Sequence, residues 1–233
     1  MSLALLALAC VTIDARRVCA TEARSDTLVV YLHGYGGAGA DDSLGLARVA
    51  AGKFRLAAPD ALPNAEGLAE WRDSDAGFIS RVIDALAPLV HARRVVVAGF
   101  SLGAFVALEV ACLTPKRVAV VVAVSGSRWK PLHECLAGAV SVLQIHGDAD
   151  TVVDPAGGVG RRTGRPYVSA RAAVEQAAAA AGCSGPLVAG PDGVERASGC
   201  RSGAVVELRT VHSMGHTPPA ALATSIAAFI ERR

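Results

Sequence analysis

Short apolar segments of strand length alternate along the chain with longer segments in which apolar residues recur at helical spacing. Buried strands are predicted at residues 27–32, 54–58, 94–98, 117–124, 140–145 and 205–211. Helices are predicted at residues 44–51, 77–90, 104–111, 167–181 and 218–230. This alternation is typical of a mostly parallel sheet whose crossover helices cover both faces. The sequence therefore predicts an α/β fold.

Three segments do not fit the alternation. Residues 11–20 indicate an N-terminal strand or hairpin, residues 157–166 are predicted to be a loop rich in glycine and arginine, and residues 184–203 are predicted to be irregular. Residues 1–10 resemble the end of a secretory signal peptide, although they lack a basic start. They are a remnant of such a peptide, which we favour, an ordinary first strand, or a segment with a lipid on Cys10. We assign residues 11–233 to a single domain.

Composition narrows the classes of partner. The 233 residues suit one large α/β domain. A formal net charge of +2 without a basic stripe argues against a nucleic-acid partner. The longest apolar runs have strand length, so we expect no membrane-spanning segment. We also expect a monomer.

The six cysteines bear on the cellular compartment. None lies in a Cys-x-x-Cys pair, which argues against metal ligation and against thioredoxin-like redox chemistry. An even number is compatible with disulfides formed in an oxidising compartment, or with buried free thiols in a cytosolic protein. We favour disulfides and a secreted or periplasmic protein.

The most informative motif is Gly99-Phe100-Ser101-Leu102-Gly103, between a predicted strand and a predicted helix. A G-x-S-x-G turn in this position exposes its serine above the sheet as a nucleophile, and glycines flank the serine because the turn is too tight for bulky side chains. A serine hydroxyl needs a base that accepts its proton. In this architecture an acid and then a histidine follow the serine along the chain.

The base and the acid are chosen by their place in the chain. His216 is the preferred base because it lies in a glycine-containing loop before the closing helix, and His212, which directly continues the last strand, is the alternative. Asp150 is the preferred acid, since it lies a few residues beyond a strand, where the loop can turn toward the histidine. Asp148 and Asp154 compete with it, but both are better explained as turn residues.

The oxyanion that forms during acyl transfer needs backbone N–H donors. The candidates are the N–H groups of Leu102, after the nucleophile, and of Tyr35, in a glycine-rich loop. Tyr35, Trp71 and Trp129 are also candidates for substrate binding, because they lie in loops expected near the mouth of the site.

The predicted loop at residues 157–166 contains three arginines. Arg161, Arg162 and Arg165 could bind an acidic substrate, but we interpret them as a solvated basic loop.

Four motifs taken together resemble the α/β-hydrolase superfamily. They are His33-Gly34-Tyr35-Gly36-Gly37, Gly99-Phe100-Ser101-Leu102-Gly103, His146-Gly147-Asp148-Ala149-Asp150 and Gly215-His216. From about Thr27 onward the chain is most similar to secreted esterases of the poly(3-hydroxybutyrate) depolymerase and feruloyl esterase group. This resemblance implies an α/β-hydrolase fold with no large lid domain, a catalytic domain over residues 11–233, and no metal or organic cofactor.

The same resemblance implies disulfide pairs. In that group a cysteine pair equivalent to Cys183 and Cys200 is bonded next to the histidine loop. By the same resemblance Cys112 would pair with Cys135, which leaves Cys10 with Cys19.

The resemblance implies a serine carboxylic-ester hydrolase that acts through an acyl-enzyme. Its expected substrates are short-chain, hydroxyalkanoate or aryl (feruloyl-type) esters, either small molecules or polyesters. An acyltransferase or thioesterase on the same scaffold stays open as an alternative, as does a non-catalytic binding protein with the same fold.

Overall fold

The computed structural model describes residues 8–23 and 25–233. Its strands are β1 (Leu8–Ile13), β2 (Arg16–Thr21), β3 (Thr27–Leu32), β4 (Arg55–Pro59), β5 (Leu62–Pro63), β6 (Ala69–Glu70), β7 (Arg94–Phe100), β8 (Val120–Val124), β9 (Ser141–Gly147), β10 (Gly158–Val159), β11 (Pro166–Tyr167), β12 (Val188–Ala189), β13 (Val194–Arg196) and β14 (Val206–Val211). Its α-helices are α1 (Leu46–Val49), α2 (Asp75–Leu89), α3 (Leu102–Leu113), α4 (Ala170–Ala180) and α5 (Leu222–Glu231).

A ten-stranded sheet organises the molecule, with the strand order β1-β2-β4-β3-β7-β8-β9-β14-β13-β12. The six strands from β4 to β14 in this order are parallel, and the two strands at each edge are antiparallel. Every residue of β3, β8 and β9 is buried, because helices cover both faces of a parallel sheet. The predicted mostly parallel sheet is therefore confirmed.

Alternate strand residues face two separate cores. On one face α2, α3 and α4 cover the sheet, with Phe78, Phe105 and Val174 among their buried residues. On the other face α1 and α5 do so, with Leu46 and Phe229. Helix α3 is buried along almost its whole length, because it packs against the sheet on one side and against α2 and α4 on the others. None of the helices in the described residues has the length and apolar character needed to cross a bilayer.

Two segments expected to lack regular structure contain short strands. Residues 184–203 include β12 and β13, which extend the sheet antiparallel to β14. Residues 157–166 include β10 and the start of β11, which form a two-stranded ribbon. These strands are two or three residues long and largely exposed or half-buried, so they leave no apolar alternation in the sequence.

The N-terminal end of the described chain is a hairpin of β1 and β2, in which Cys10 lies opposite Cys19. A disulfide joins these two residues, so the Cys10 sulfur is not available for a lipid in this structure. Arg16 anchors the hairpin through a buried ion pair of 2.6 Å with Asp75 at the start of α2. Of the expected signal-peptide remnant at residues 1–10, residues 1–7 lie outside the described residues, and residues 8–10 belong to β1.

The other two expected disulfides are also present. Cys112–Cys135 ties α3 to the segment before β9, and Cys183–Cys200 closes the segment before β14. Cys200 precedes the amino end of β14, whereas His216 follows its carboxyl end, so the length of the strand separates them.

Candidate active site

Ser101 lies on a strained turn between β7 and α3. Its φ of 52° and ψ of −122° fall in a region that residues with a side chain rarely adopt. Glycines make the turn possible: a Cβ at Gly103 would lie 2.2 Å from the carbonyl oxygen of Leu32, and one at Gly99 would lie 2.2 Å from the carbonyl oxygen of Gly103. The serine N–H donates to the carbonyl of Val124 in β8 at 2.9 Å, which fixes the turn to the neighbouring strand.

The structure brings Ser101, His216 and Asp150 together from three distant parts of the chain. Nε2 of His216 lies 2.8 Å from Oγ of Ser101, and Nδ1 lies 2.9 Å from Oδ2 of Asp150. An ionised carboxylate only accepts hydrogen bonds, so Nδ1 carries the proton that it donates to Asp150. In the neutral imidazole Nε2 is then the acceptor for the serine hydroxyl, which is the protonation state that a general base requires.

Several groups hold the Asp150 carboxylate in place and favour its ionised form. Burial raises the pKa of Asp150, but hydrogen bonds from His146, His216 and the Val153 N–H outweigh it and hold the pKa well below its ordinary value. Oδ1 accepts the N–H groups of Val152 at 2.9 Å and Val153 at 3.0 Å. Asp150 therefore stays charged beside the imidazole, where it can stabilise an imidazolium.

His212 and Asp148 form a separate pair outside this arrangement. Nδ1 of His212 lies 2.8 Å from Oδ2 of Asp148, and the histidine side chain is 92% exposed. Asp148 also accepts the N–H of Ser213 at 2.7 Å, so it braces the turn after β14. The hydrogen bond from His212 lowers the pKa of Asp148. Neither residue is hydrogen-bonded to Ser101.

The glycine-rich loop after β3 passes beside the serine. A Cβ added to Gly34 would lie 3.4 Å from the Ser101 Cβ. The N–H of Tyr35 has no acceptor among the described residues. Leu102 is the first residue of α3, and the N–H of a first helical residue has no partner within its helix. The N–H groups of Tyr35 and Leu102 are therefore candidate donors to an oxyanion at Ser101.

Two cavities meet at Ser101. The first has a volume of about 330 Å³ and is walled mainly by apolar and aromatic side chains, including Phe105, Trp129 and Tyr167. The second is more open, has a volume of about 490 Å³, and includes Phe100 and His216. Four residues line both cavities: Tyr35, Ser101, Val152 and Arg162. A molecule bound at Ser101 can therefore extend into two different cavities.

Comparisons with known proteins agree with this architecture. Residues 58–162 match the model of the family described as phospholipase/carboxylesterase, a segment that includes Ser101 and Asp150 but ends before His216. The structure is similar to a carboxylesterase from Mesorhizobium loti, with a TM-score of 0.68 and 16% identity over 96% of this chain and 98% of that one. The protein has the α/β-hydrolase fold.

The structure is also similar to the solved structures of two other proteins. Esterase PE8 has a TM-score of 0.59 and 24% identity over 89% of this chain and 93% of its own. A Bacillus cereus carboxylesterase has a TM-score of 0.63 and 14% identity over 94% of this chain and 95% of its own. No curated protein sequence matches the chain. As in these neighbours, the central sheet is mostly parallel, and the described residues contain no large lid domain.

The expectation that Trp71 contacts substrate is wrong. Its side chain is 1% exposed, and its Nε1–H donates to the carbonyl of His33 at 2.9 Å, so it lies beneath the glycine-rich loop. The imidazole of His33 is also buried; its Nδ1 lies 2.7 Å from the carbonyl of Gly34, and its Nε2 accepts the N–H of Ala61 at 3.2 Å. Both residues support the loop that carries Tyr35.

Trp129 and Tyr35 do line the site. Trp129 is 6% exposed and packs against Phe105 with ring centroids 5.0 Å apart, so it forms part of the wall of the first cavity. The hydroxyl of Tyr35 accepts the side-chain N–H of Asn64 at 2.9 Å, which holds the ring at the junction of the two cavities.

Sequence reasoning missed three arginines as lining residues. Arg161, Arg162 and Arg165, interpreted from the sequence as a solvated loop, all line the first cavity at Ser101. The sequence shows that three arginines lie within five positions. Only the fold of the β10–β11 ribbon, which places them in the wall of the cavity that contains Ser101, distinguishes a cavity wall from a surface loop.

One cluster outside the site contains residue types that bind metals. Ligand atoms of Glu109, Cys112 and His133 lie within 4.8 Å of one another. However, the sulfur of Cys112 is bonded to Cys135, and Glu109 forms a buried ion pair of 2.5 Å with Arg128. The cluster is therefore better described as a structural ion pair beside a disulfide than as a metal site.

Proposed function

We propose that this protein is a serine carboxylic-ester hydrolase that works through an acyl-enzyme. The observation that carries the proposal is the continuous hydrogen-bonded path from Ser101 through His216 to Asp150, at the junction of two cavities. A serine, its base and the group that orients the base, all within hydrogen-bond distance, are the parts that nucleophilic acyl transfer needs.

In the first half of the reaction, Oγ of Ser101 attacks the ester carbonyl carbon while its proton moves to Nε2 of His216. The oxyanion of the tetrahedral intermediate accepts hydrogen bonds from the N–H groups of Tyr35 and Leu102. Asp150 stabilises the imidazolium. The carbon–oxygen bond to the alcohol then breaks, the alcohol takes the proton from His216, and the acyl group stays on Ser101.

In the second half, His216 takes a proton from water as the water attacks the acyl-enzyme. Collapse of the second tetrahedral intermediate returns the proton to Ser101 and releases the acid. These two reaction steps need neither a metal nor an organic cofactor.

The shape of the site indicates the size of the substrate. The apolar cavity of about 330 Å³ lies at the lower end of the range for small-molecule sites, and its aromatic walls suit an alkyl or aryl group. We propose short-chain or aryl esters, including hydroxyalkanoate and feruloyl types. The three disulfides support a secreted or periplasmic location, because disulfides persist in oxidising compartments.

Steady-state hydrolysis of 4-nitrophenyl butyrate tests the proposal. We expect Ser101→Ala to lower kcat by about 10⁴-fold or more, whereas Ser225→Ala, a serine on α5 that bonds to the carbonyl of Leu222, retains activity. Added alcohol separates hydrolysis from acyl transfer: a hydrolase releases mainly free butyrate, whereas a transferase gives mainly the new ester. Equal activity of the wild type and Ser101→Ala would reject the proposal.

A further inference from the structure

The tip of the β10–β11 ribbon brings three arginines to the cavity that contains Ser101. Arg161, Arg162 and Arg165 lie between the two paired strand segments and all line the apolar cavity. The other residues that line this cavity are mainly apolar or aromatic, so the guanidinium groups are its main charged feature. Their presence calls for an explanation beyond packing.

The ribbon is fixed against the body of the protein. Tyr167 in β11 forms a β-bridge with Trp129, and the N–H of Val168 donates to the carbonyl of Arg128 at 3.0 Å. Arg165 forms an ion pair of 2.7 Å with Asp73, and its guanidinium lies over the Trp129 ring, 4.3 Å from the centroid. Arg165 therefore has a structural partner on each side.

Arg161 and Arg162 differ from Arg165 in this respect. Both are exposed, and neither forms an ion pair with any described residue. The guanidinium of Arg162 lies 5.4 Å from the ring centroid of Tyr35, which places it above the loop beside Ser101. No aspartate or glutamate is among the residues that line either of the two cavities at Ser101. Two positive charges thus face the substrate space without a counter-charge.

The lining of the two cavities indicates which half of the ester lies beside Arg161 and Arg162. His216, which returns its proton to the leaving alcohol, lines the open cavity and not the apolar one. The alcohol therefore leaves toward the open cavity, and the acyl chain occupies the apolar one. Arg161 lines only the acyl cavity, and Arg162 lines both.

We propose that Arg161 and Arg162 form a subsite for a carboxylate on the acyl chain, so that the preferred substrates are monoesters of dicarboxylic acids. This inference rests on the proposed ester hydrolysis and names its substrate class. The methylene part of such an acyl chain packs against the aromatic wall, and its terminal carboxylate reaches the guanidinium groups at the rim. Guanidinium groups match carboxylates in geometry as well as charge.

Two esters with the same alcohol and the same acyl chain length separate charge from size. Monoethyl adipate carries a terminal carboxylate, and ethyl hexanoate carries a methyl group in its place. We expect the wild type to have a kcat/KM about tenfold higher for monoethyl adipate than for ethyl hexanoate, mainly through a lower KM. A charge-assisted hydrogen bond at a partly solvated site can supply a difference of this size. Higher ionic strength should reduce this ratio, because the arginines are exposed to solvent.

The variant Arg161→Gln/Arg162→Gln should reduce the ratio of the two kcat/KM values to about one. Arg93→Gln/Arg232→Gln is the matched control, since it removes two exposed arginines that line neither cavity, and it should keep the wild-type ratio. Equal turnover of both esters by the wild type, or an unchanged ratio in the Arg161→Gln/Arg162→Gln variant, would overturn the inference.

Calorimetric binding of both esters to Ser101→Ala distinguishes the subsite from the proposed reaction. Tighter binding of monoethyl adipate that is lost on adding the two Arg→Gln substitutions supports the subsite even if neither ester is hydrolysed by the wild type. In that case the proposed function alone fails. Binding without preference for the carboxylate overturns the subsite, whether or not hydrolysis occurs.

Discussion

The Oδ2 atom of Asp150 lies 2.9 Å from Nδ1 of His216, although the two residues follow different strands of the sheet. The other oxygen of the carboxylate accepts the N–H groups of Val152 and Val153, so the backbone of its own loop fixes its orientation. His146 adds a third support: its Nε2 lies 2.8 Å from the carbonyl of Val153 and 3.5 Å from Oδ2 of Asp150. The imidazole of His216 is thereby held in one orientation before any substrate binds.

We predict that Asp150→Asn lowers kcat by about 10⁴-fold. An amide side chain can donate to Nδ1 and so favours the wrong tautomer of His216, with the proton on Nε2, where it cannot accept from Ser101. Steady-state kinetics with 4-nitrophenyl butyrate measure the loss. Asp148→Asn is the control, because Asp148 pairs with the exposed His212, and it should keep kcat near the wild-type value. A similar loss in both variants would contradict the role of Asp150.

Acid sensitivity of the fold is predicted at His33. Burial lowers the pKa of His33, and its Nε2 accepts the N–H of Ala61, which requires the neutral imidazole. The unfolded chain takes up a proton near pH 6.5 while the folded chain does not. Neutral His33 therefore contributes stability above about pH 6.5, and this contribution is lost as the pH falls below that value toward the lowered folded pKa.

Urea unfolding between about pH 7.5 and pH 5 tests this prediction. The free energy of unfolding should fall more steeply with decreasing pH in the wild type than in His33→Gln, which has no group that titrates there. The wild type also contains five other histidines, so the difference between the two proteins is the relevant quantity. Identical pH dependence of the two proteins would contradict the prediction.

Two glycine-to-alanine substitutions should have opposite effects. At Gly103 a Cβ would lie 2.2 Å from the backbone oxygen of Leu32, so Gly103→Ala must push α3 away from β3, and we expect a loss of about 2 kcal/mol in the free energy of unfolding. At Gly77 in α2 the nearest atom is the end of the flexible Arg81 side chain at 3.5 Å, and Gly77→Ala should gain about 0.5 kcal/mol. Urea denaturation measures both changes. Equal stability of the two variants would reject the steric argument.

The residues that the sequence predicted best are those whose chemistry depends on chain order. The G-x-S-x-G turn requires a strand before it and a helix after it, and both are legible in the pattern around Ser101. The loops that carry Asp150 and His216 follow buried strands. In a parallel sheet such loops meet at one edge. The proximity of Ser101, Asp150 and His216 can therefore be predicted from the sequence although they lie far apart in the chain.

The sequence was wrong about Trp71 and did not place the three arginines in the cavity wall, because both outcomes depend on contacts between loops. Trp71 and Trp129 both lie in loops, and only the packing shows that one supports His33 while the other lines a cavity. The arginines at the tip of the β10–β11 ribbon have the composition of a solvated loop. Strands of two residues leave too short a pattern to show that the chain folds back over the site.

Reaction with a fluorophosphonate tests whether Ser101 is an activated nucleophile. The reagent bonds covalently to a serine that an adjacent base has activated, so it reports the nucleophile without depending on the choice of ester. We predict one adduct per protein molecule by intact mass, located on Ser101 by peptide mapping, and no adduct on Ser101→Ala. An unlabelled wild type, or an adduct that persists in Ser101→Ala, would contradict the assignment of Ser101 as the nucleophile.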